Sequence, residues 1–244
     1  MELRVLGCGD AFGSGGRMQT CFHVATGGGA FLIDCGATAL IAMRRHGIDP
    51  NGIGTILLSH LHGDHFGGLP FLILDAQLVS RRTAPLTVVG PPGLAARLSA
   101  LMEAMFPGSA TARRRFALEI VEYTPGKTAE VNGITLTPFE VRHPSGAPTC
   151  ALRIAVGGRI LAYTGDTEWV EALIPAAQGA DLLIAEAYTP EKPVPFHLDW
   201  ATLRARLPEI GARRVLLTHM GPDMLAHAAE GCEKAGDGMR IALG

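Results

Sequence analysis

His60-Leu61-His62-Gly63-Asp64-His65 sets four metal-ligating side chains within six residues, directly after the apolar run at 55–58. Imidazole and carboxylate without thiolate suit zinc, with manganese or iron as substitutes, because geometry and availability decide among these cations. On continued strand geometry His60, His62 and Asp64 share one face. A turn begun at Gly63 instead swings Asp64 and His65 toward a second ion. Two ions need more ligands than one loop supplies, and the chain offers His143, Asp166, His197 and His219, each at the end of an expected strand or in a Gly/Pro-rich turn. A carboxylate such as that of Asp166 can bridge two cations. Water between ions about 3.5–4 Å apart ionises near neutral pH and becomes a nucleophile, so the chemistry expected is hydrolysis. His23, His46 and His227 stand on strand or helix patterns without acidic neighbours and are read as surface or core histidines.

Two further loops carry polar groups. Leu6-Gly7-Cys8-Gly9-Asp10-Ala11-Phe12-Gly13 follows a strand pattern, but its third glycine is one place late for a dinucleotide fingerprint and the residues after it start a helix poorly. It is read either as a loop approaching a metal site or substrate, or as a structural turn. Asp34-Cys35-Gly36 ends another strand. Asp34 there either orients a ligand imidazole through a hydrogen bond or caps the following helix.

Elements that position these groups alternate along the chain. Strand patterns fall at 3–6, 22–25, 31–33, 55–58, 86–89, 134–139, 151–156, 159–163, 182–185 and 215–217. Helical patterns fall at 38–46, 68–78, 94–106, 168–177 and 200–207, most of them closed by Gly or Pro, as at Gly47, Pro107 and Pro208. The runs ending at His60, Asp166 and His219 each deliver a ligand at a strand's C-terminal end, where an α/β sheet tends to place its chemistry. The 244 residues hold no linker or repeat, so a single domain over 1–244 is expected, and 48% hydrophobic against 18% charged residues suffices for a large core.

Composition excludes other classes. A net charge of −2 argues against a surface built throughout for nucleic acid, and Arg113-Arg114-Arg115 reads as a solvated loop. No apolar run is long enough to cross a membrane. The N-terminus enters a strand pattern without the marks of a signal peptide, so a cytoplasmic location is expected. Five cysteines without a Cys-x-x-Cys pair suggest neither a disulfide framework nor a four-thiolate zinc site.

The cluster at 60–65 continues into Phe66-Gly67-Gly68-Leu69-Pro70. With Asp34-Cys35-Gly36, His143, Thr164-Gly165-Asp166 and Leu217-Thr218-His219 in that order, it resembles the metallo-β-lactamase superfamily over nearly the whole chain. The resemblance implies an α/β fold, a four-layer αββα sandwich with a dinuclear site at the edge of two facing sheets. By that likeness His60, His62 and His143 hold one ion, Asp64, His65 and His219 hold the other, and Asp166 bridges them. Within the superfamily the early Leu6-Gly7-Cys8-Gly9 segment, Ile33-Asp34-Cys35-Gly36 and Gly90-Pro91-Pro92-Gly93 are similar to the ribonuclease Z-like phosphodiesterase branch. His197 stands where that branch places a further histidine, assigned to the leaving-group side of phosphodiester cleavage, and Asp64 is a candidate to orient the nucleophilic water.

The resemblance implies a metal-dependent hydrolase with two divalent ions, most simply Zn2+, acting on a small or nucleotide-like phosphodiester through a metal-bridging hydroxide. The interval between His143 and Asp166 is too short for the arm with which ribonuclease Z grips transfer RNA, so binding of tRNA is not expected. A related phosphonate-pathway subgroup carries an extra Cys-rich zinc site that has no counterpart near Cys21. The rival reading is hydrolysis of a thioester, ester or lactone, as in glyoxalase II-like and lactonase members, and the placement of His197 discriminates between the two. β-Lactamase activity is disfavoured because Asp166 stands where zinc β-lactamases commonly carry a thiolate. Diiron redox chemistry would require Glu in place of His62. A non-catalytic metal-binding module is the remaining alternative. The segment 188–196 is read as a surface loop, with a lid or a homodimer contact as alternatives, and Trp169, Trp200 and Tyr188 as pocket or core residues.

Overall fold

The computed structural model describes residues 1–244. The first sheet takes its strands from β1 (Glu2–Gly7), β2 (Cys21–Thr26), β3 (Gly29–Ile33), β4 (Ile53–Leu57), β5 (Leu86–Gly90) and β6 (Leu118–Glu122). The second takes β7 (Ala129–Val131), β8 (Ile134–Glu140), β9 (Cys150–Val156), β10 (Arg159–Tyr163), β11 (Leu182–Glu186), β12 (Val215–Thr218) and β13 (Glu233–Lys234). Strand β14 (Arg240–Ala242) then returns to the first sheet. The orders are β14-β1-β2-β3-β4-β5-β6 and β13-β12-β11-β10-β9-β8-β7. Each sheet has an antiparallel half and a parallel half, the parallel halves being β3-β4-β5-β6 and β10-β11-β12-β13.

Seven α-helices cover the sheets: α1 (Ala39–Arg45), α2 (Gly63–Phe66), α3 (Leu69–Leu78), α4 (Leu94–Met105), α5 (Leu173–Ala177), α6 (Trp200–Ile210) and α7 (Pro222–Ala226). Three apolar clusters separate the four layers. Alternating side chains such as Leu3, Val5, Phe22, Val24, Leu152, Ile154, Leu161 and Tyr163 fill the space between the sheets. Leu32, Ile56, Val88 and their neighbours pack the first sheet on α1, α3 and α4, while Ala162, Leu183 and Leu217 pack the second on α5, α6 and α7. Strands covered on both faces read as mainly apolar runs, and β5 and β11 are buried along their full length, with Thr87 and Glu186 as their polar exceptions. The αββα sandwich expected from the resemblance is the fold observed.

All ten expected strands are present, and the four not anticipated are β6, β7, β13 and β14, the outermost strands of the two sheets. An edge strand is short and carries charge on its open side, as Glu119 and Glu122 do on β6 and Glu233 and Lys234 on β13, so its pattern reads as loop. Two helix expectations need correction. The pattern at 168–177 becomes helical only at Leu173, because Glu168 is engaged by Arg142 and by the Phe196 amide, both at 3.1 Å. Pro208 does not end α6, which runs on to Ile210 and stops at Gly211 in the left-handed region. The proline strips a hydrogen bond from the carbonyl of Arg204, an exposed residue, so solvent can replace the donor.

The cysteines are shielded. Burial pushes the thiols of Cys8 and Cys35 up to about 12 and that of Cys150 up to about 11, and drives Cys21 well above its usual range. A thiol at about 12 is roughly one part in ten thousand thiolate at pH 8, and the thiolate is the nucleophile. Titration of the native protein with a thiol-reactive disulfide is expected to modify half-buried Cys232 and to reach the other four only on unfolding. Rapid reaction of Cys8 or Cys35 in the folded state would contradict this.

Candidate metal centre

The site lies where parallel strands of both sheets end. Strand β4 runs out through Ser59 into the extended segment His60-Leu61-His62, and α2 then begins at Gly63, with His62 still in extended conformation. Of the two arrangements open from sequence, the turn at Gly63 is the one observed. His60 and His62 face one way, with His143 from the loop after β8, while α2 swings Asp64 and His65 toward Asp166 and His219. Asp166 follows β10 and His219 follows β12. Two groups match the expected ligand sets, His60 with His62 and His143, and Asp64 with His65, Asp166 and His219, and a third joins Asp166 and His219 to Glu186 and His197; within each the ligand atoms lie within 4.8 Å of one another. His23, His46 and His227 belong to none of them.

Asp166 faces both expected sets. One of its oxygens is 3.3 Å from His65 Nε2, and the other is 3.3 Å from His219 Nε2 and 3.9 Å from both His60 Nε2 and His143 Nε2. The carboxylate reaches this position through Gly165, whose φ of +60° is left-handed and whose missing Cβ would stand 3.1 Å from that of Ser59. A side chain there would push Asp166 off both sets.

The second ring nitrogens fix the orientation of the imidazoles. Asp34 accepts from the Ser59 amide at 2.8 Å, from the Ser59 hydroxyl at 2.9 Å and from His65 Nδ1 at 2.7 Å. Because the Ser59 proton goes to Asp34, its oxygen is left to accept from His60 Nδ1 at 3.0 Å. One carboxylate therefore sets two tautomers, leaving Nε2 of both His60 and His65 with a free lone pair. Of the two readings of Asp34, the orienting one is observed, since α1 is preceded by Thr38 and has no side-chain cap. Asp34 and His219 both adopt positive φ, 56° and 54°, at a cost of about 1–2 kcal/mol each. Gly36 lets the loop close, since a Cβ there would meet the Asp64 carbonyl oxygen at 2.4 Å.

The segment 188–196 is part of this support as well as a surface loop. His143 Nδ1 donates to the Phe196 carbonyl at 3.0 Å, and Phe196 holds a φ of +68° to present it. His143 Nε2 is then turned to within 3.0 Å of His62 Nδ1. Two imidazole nitrogens on one tetrahedral zinc stand about 3.3 Å apart, so this spacing is close to that of co-ligands. Nε2 of His60 and His65 and Oδ1 of Asp166 are buried without a hydrogen-bond partner, a costly state that a cation relieves.

Electrostatics split the donor set: burial opposes the charged imidazole, yet the Asp166 carboxylate above all raises His65 well above its usual range and His219 to about 10, so a cation binding there must displace protons. Burial drives the His60 imidazole well below its usual range, and His65 acts in the same direction, so it is neutral as a ligand must be. Burial opposes ionisation of Asp64, yet the imidazoles of His65 and His219 outweigh it and hold the carboxyl far below its normal range. For Asp166 the order is His219, then His65, with the same result. His/Asp clusters of this kind are suited to divalent metal ions.

His197 closes the site on one side. Its ring lies parallel to that of His219, with centroids 5.8 Å apart, and its Nδ1 is 2.5 Å from Glu186 Oε1. Glu186 was not anticipated from sequence. It is fully buried at the end of β11, where it also accepts from the Thr167 amide at 2.8 Å. The available signal was a carboxylate ending the otherwise apolar run Leu182-Leu183-Ile184-Ala185. A cavity of about 190 Å3 joins His62, Asp64, His143, Asp166, His197 and His219 with Tyr188 and the Asp10-Ala11-Phe12 loop. Tyr188 thus lines the site, whereas Trp200 is core and Trp169 packs under Arg206.

A model of the β-lactamase superfamily domain matches residues 30–220, so the chain belongs to the β-lactamase superfamily. Its relatives place it in the ribonuclease Z-like branch. It is 30% identical over 193 residues to ribonuclease Z of Mycobacterium bovis (strain BCG / Pasteur 1173P2), spanning 75% of this chain and 69% of that one. Among solved structures it resembles the short form of human tRNase Z, with a TM-score of 0.82, 23% identity and 99% coverage of both chains. It also resembles a diphosphatase of the PhnP family, with a TM-score of 0.79, 20% identity and coverage of 100% of this chain and 98% of the other. Both structural likenesses support the fold.

The support network predicts that Asp34→Ala, which frees two imidazoles at once, weakens zinc affinity by about 10–100-fold, as measured by competition with a chromophoric chelator. Unchanged affinity would remove Asp34 from the site's architecture.

Proposed function

We propose that this protein is a metal-dependent phosphodiesterase acting on small or nucleotide-like phosphodiesters. In this reading His60, His62 and His143 hold one divalent ion, Asp64, His65 and His219 hold a second, and Asp166 is shared. The donor set of nitrogen and carboxylate oxygen favours zinc, with Mn2+ or Fe2+ as substitutes. Divalent ions bound there supply Lewis acidity toward the phosphoryl oxygens and the attacking water.

The observation that carries the phosphodiester reading is the Glu186–His197 pair. Glu186 takes the Nδ1 proton, which leaves Nε2 as the remaining polar atom of a ring that lines the cavity. Burial disfavours the imidazolium of His197, but the hydrogen bond it donates to Glu186 more than compensates and raises the group above its ordinary value. A protonated Nε2 is a general acid for a departing alkoxide, the step on which phosphodiester cleavage depends when the leaving group is poor. In this reading Asp64, which also lines the cavity, orients the attacking water. Thioester hydrolysis has less need of such an acid, because a thiolate departs more readily than an alkoxide.

The interval between His143 and Asp166 supports a small substrate. It is filled by β9 and β10, an antiparallel hairpin joined at Gly157-Gly158, and carries no inserted arm.

Hydrolysis of phosphodiesters with alkyl and p-nitrophenyl leaving groups tests the assignment. His197→Ala is expected to slow the alkyl ester by about 10²–10⁴-fold and the p-nitrophenyl ester far less, because p-nitrophenolate departs without a proton. Equal losses on both would deny His197 the acid role. Thioester or lactone turnover exceeding that of every phosphodiester would overturn the reading itself.

A further inference from the structure

A second cavity opens from the metal centre on the side away from His197. It has a volume of about 870 Å3 and shares Ala11, His62 and Asp64 with the site cavity. Its walls are α2 and α3 on one side and α4 on the other, and they present Phe66, Phe71, Leu101 and Met105. Phe71 stands 36% exposed, its ring edge-on to Phe106 at 5.8 Å. An apolar wall of this kind, open to solvent and continuous with a reacting centre, accommodates a ring.

Arg97 of α4 also lines the groove. Its guanidinium touches only the carbonyls of Leu61 and Gly146, at 3.5 and 3.4 Å, and pairs with no carboxylate. Gly146 leaves room for it, since a Cβ there would stand 2.7 Å from the guanidinium nitrogen. The remaining N–H groups suit the fork geometry of a phosphate.

We propose that this groove is the subsite for the retained ester substituent of the phosphodiester, a ring-bearing group that carries a second phosphate, with Arg97 as that phosphate's partner. The inference rests on the phosphodiesterase reading above and deepens it. His197 and Tyr188 line only the site cavity, so the leaving group departs on their side and water attacks in line from the opposite side; the substituent that stays on phosphorus projects sideways from that line, and the groove opening beside His62 and Asp64 receives it. A ring plus a further phosphate is the chemistry of a nucleoside phosphate.

Three esters sharing p-nitrophenolate as leaving group separate the parts: methyl p-nitrophenyl phosphate, the p-nitrophenyl ester of thymidine 5′-phosphate, and the same ester bearing a 3′-phosphate. With the zinc-loaded protein, kcat/KM is expected to rise about tenfold from methyl to thymidine and about tenfold again with the 3′-phosphate, the scale of one ring contact and one charge-assisted pair. Arg97→Gln is expected to abolish the second step and Phe71→Ala to reduce the first, with thermal melting confirming that both variants fold. Equal kcat/KM for the three esters, or steps unchanged in both variants, overturns the subsite while leaving the phosphodiesterase reading intact. Turnover of none of the three overturns that reading and the subsite with it.

Discussion

Burying imidazole nitrogens and carboxylate oxygens together is unfavourable unless something takes their lone pairs, and this chain buries His60, His65, Asp64, Asp166 and His219 at one end of its sandwich. Every nearby device serves to keep those lone pairs pointed inward. Asp34 accepts from the His65 ring and from the Ser59 hydroxyl, whose oxygen in turn accepts from the His60 ring, and the Phe196 carbonyl accepts from His143. Strained backbone at Asp34, Phe196 and His219 is tolerated because tertiary hydrogen bonds and packing fix each residue in place. Such a cage is a site for cations before it is a site for any substrate.

The sandwich explains why the cage forms here. The parallel halves of both sheets present their C-terminal ends at one edge, so β4 of the first sheet and β10 and β12 of the second deliver ligands to the same small volume. The two sheets meet through a core in which Tyr163 and Phe22 pack edge-on at 5.7 Å, while the buried Tyr123 hydroxyl donates to the carbonyls of Leu58 and Ser59. The Cys150 amide of β9 donates to the Ser59 carbonyl at 3.1 Å, which ties the His60 segment to the second sheet. The function of the site thus depends on register between layers as much as on any one loop.

Much of this was legible in sequence because the central strands are apolar on both faces and the ligands follow them directly. The seven ligand candidates and His197 stand out as polar groups at the ends of such runs, and the structure brings all eight to one cavity or its immediate wall. The edge strands escaped because their open sides are charged. Glu186 escaped because a single carboxylate ending β11 looks like a solvated strand terminus, and only the fold shows that it lies beneath His197. The helix expected at 168–177 failed for a related reason, since the partners of Glu168 come from residues distant in sequence. Periodicity reads what a segment does by itself and is blind to what a neighbour does to it.

Anomalous diffraction at the zinc edge from zinc-loaded crystals tests the central claim most directly. The account predicts two peaks about 3.5–4 Å apart with Asp166 between them, one against His60, His62 and His143 and the other against Asp64, His65 and His219. A single peak, or none within reach of Asp166, would contradict it.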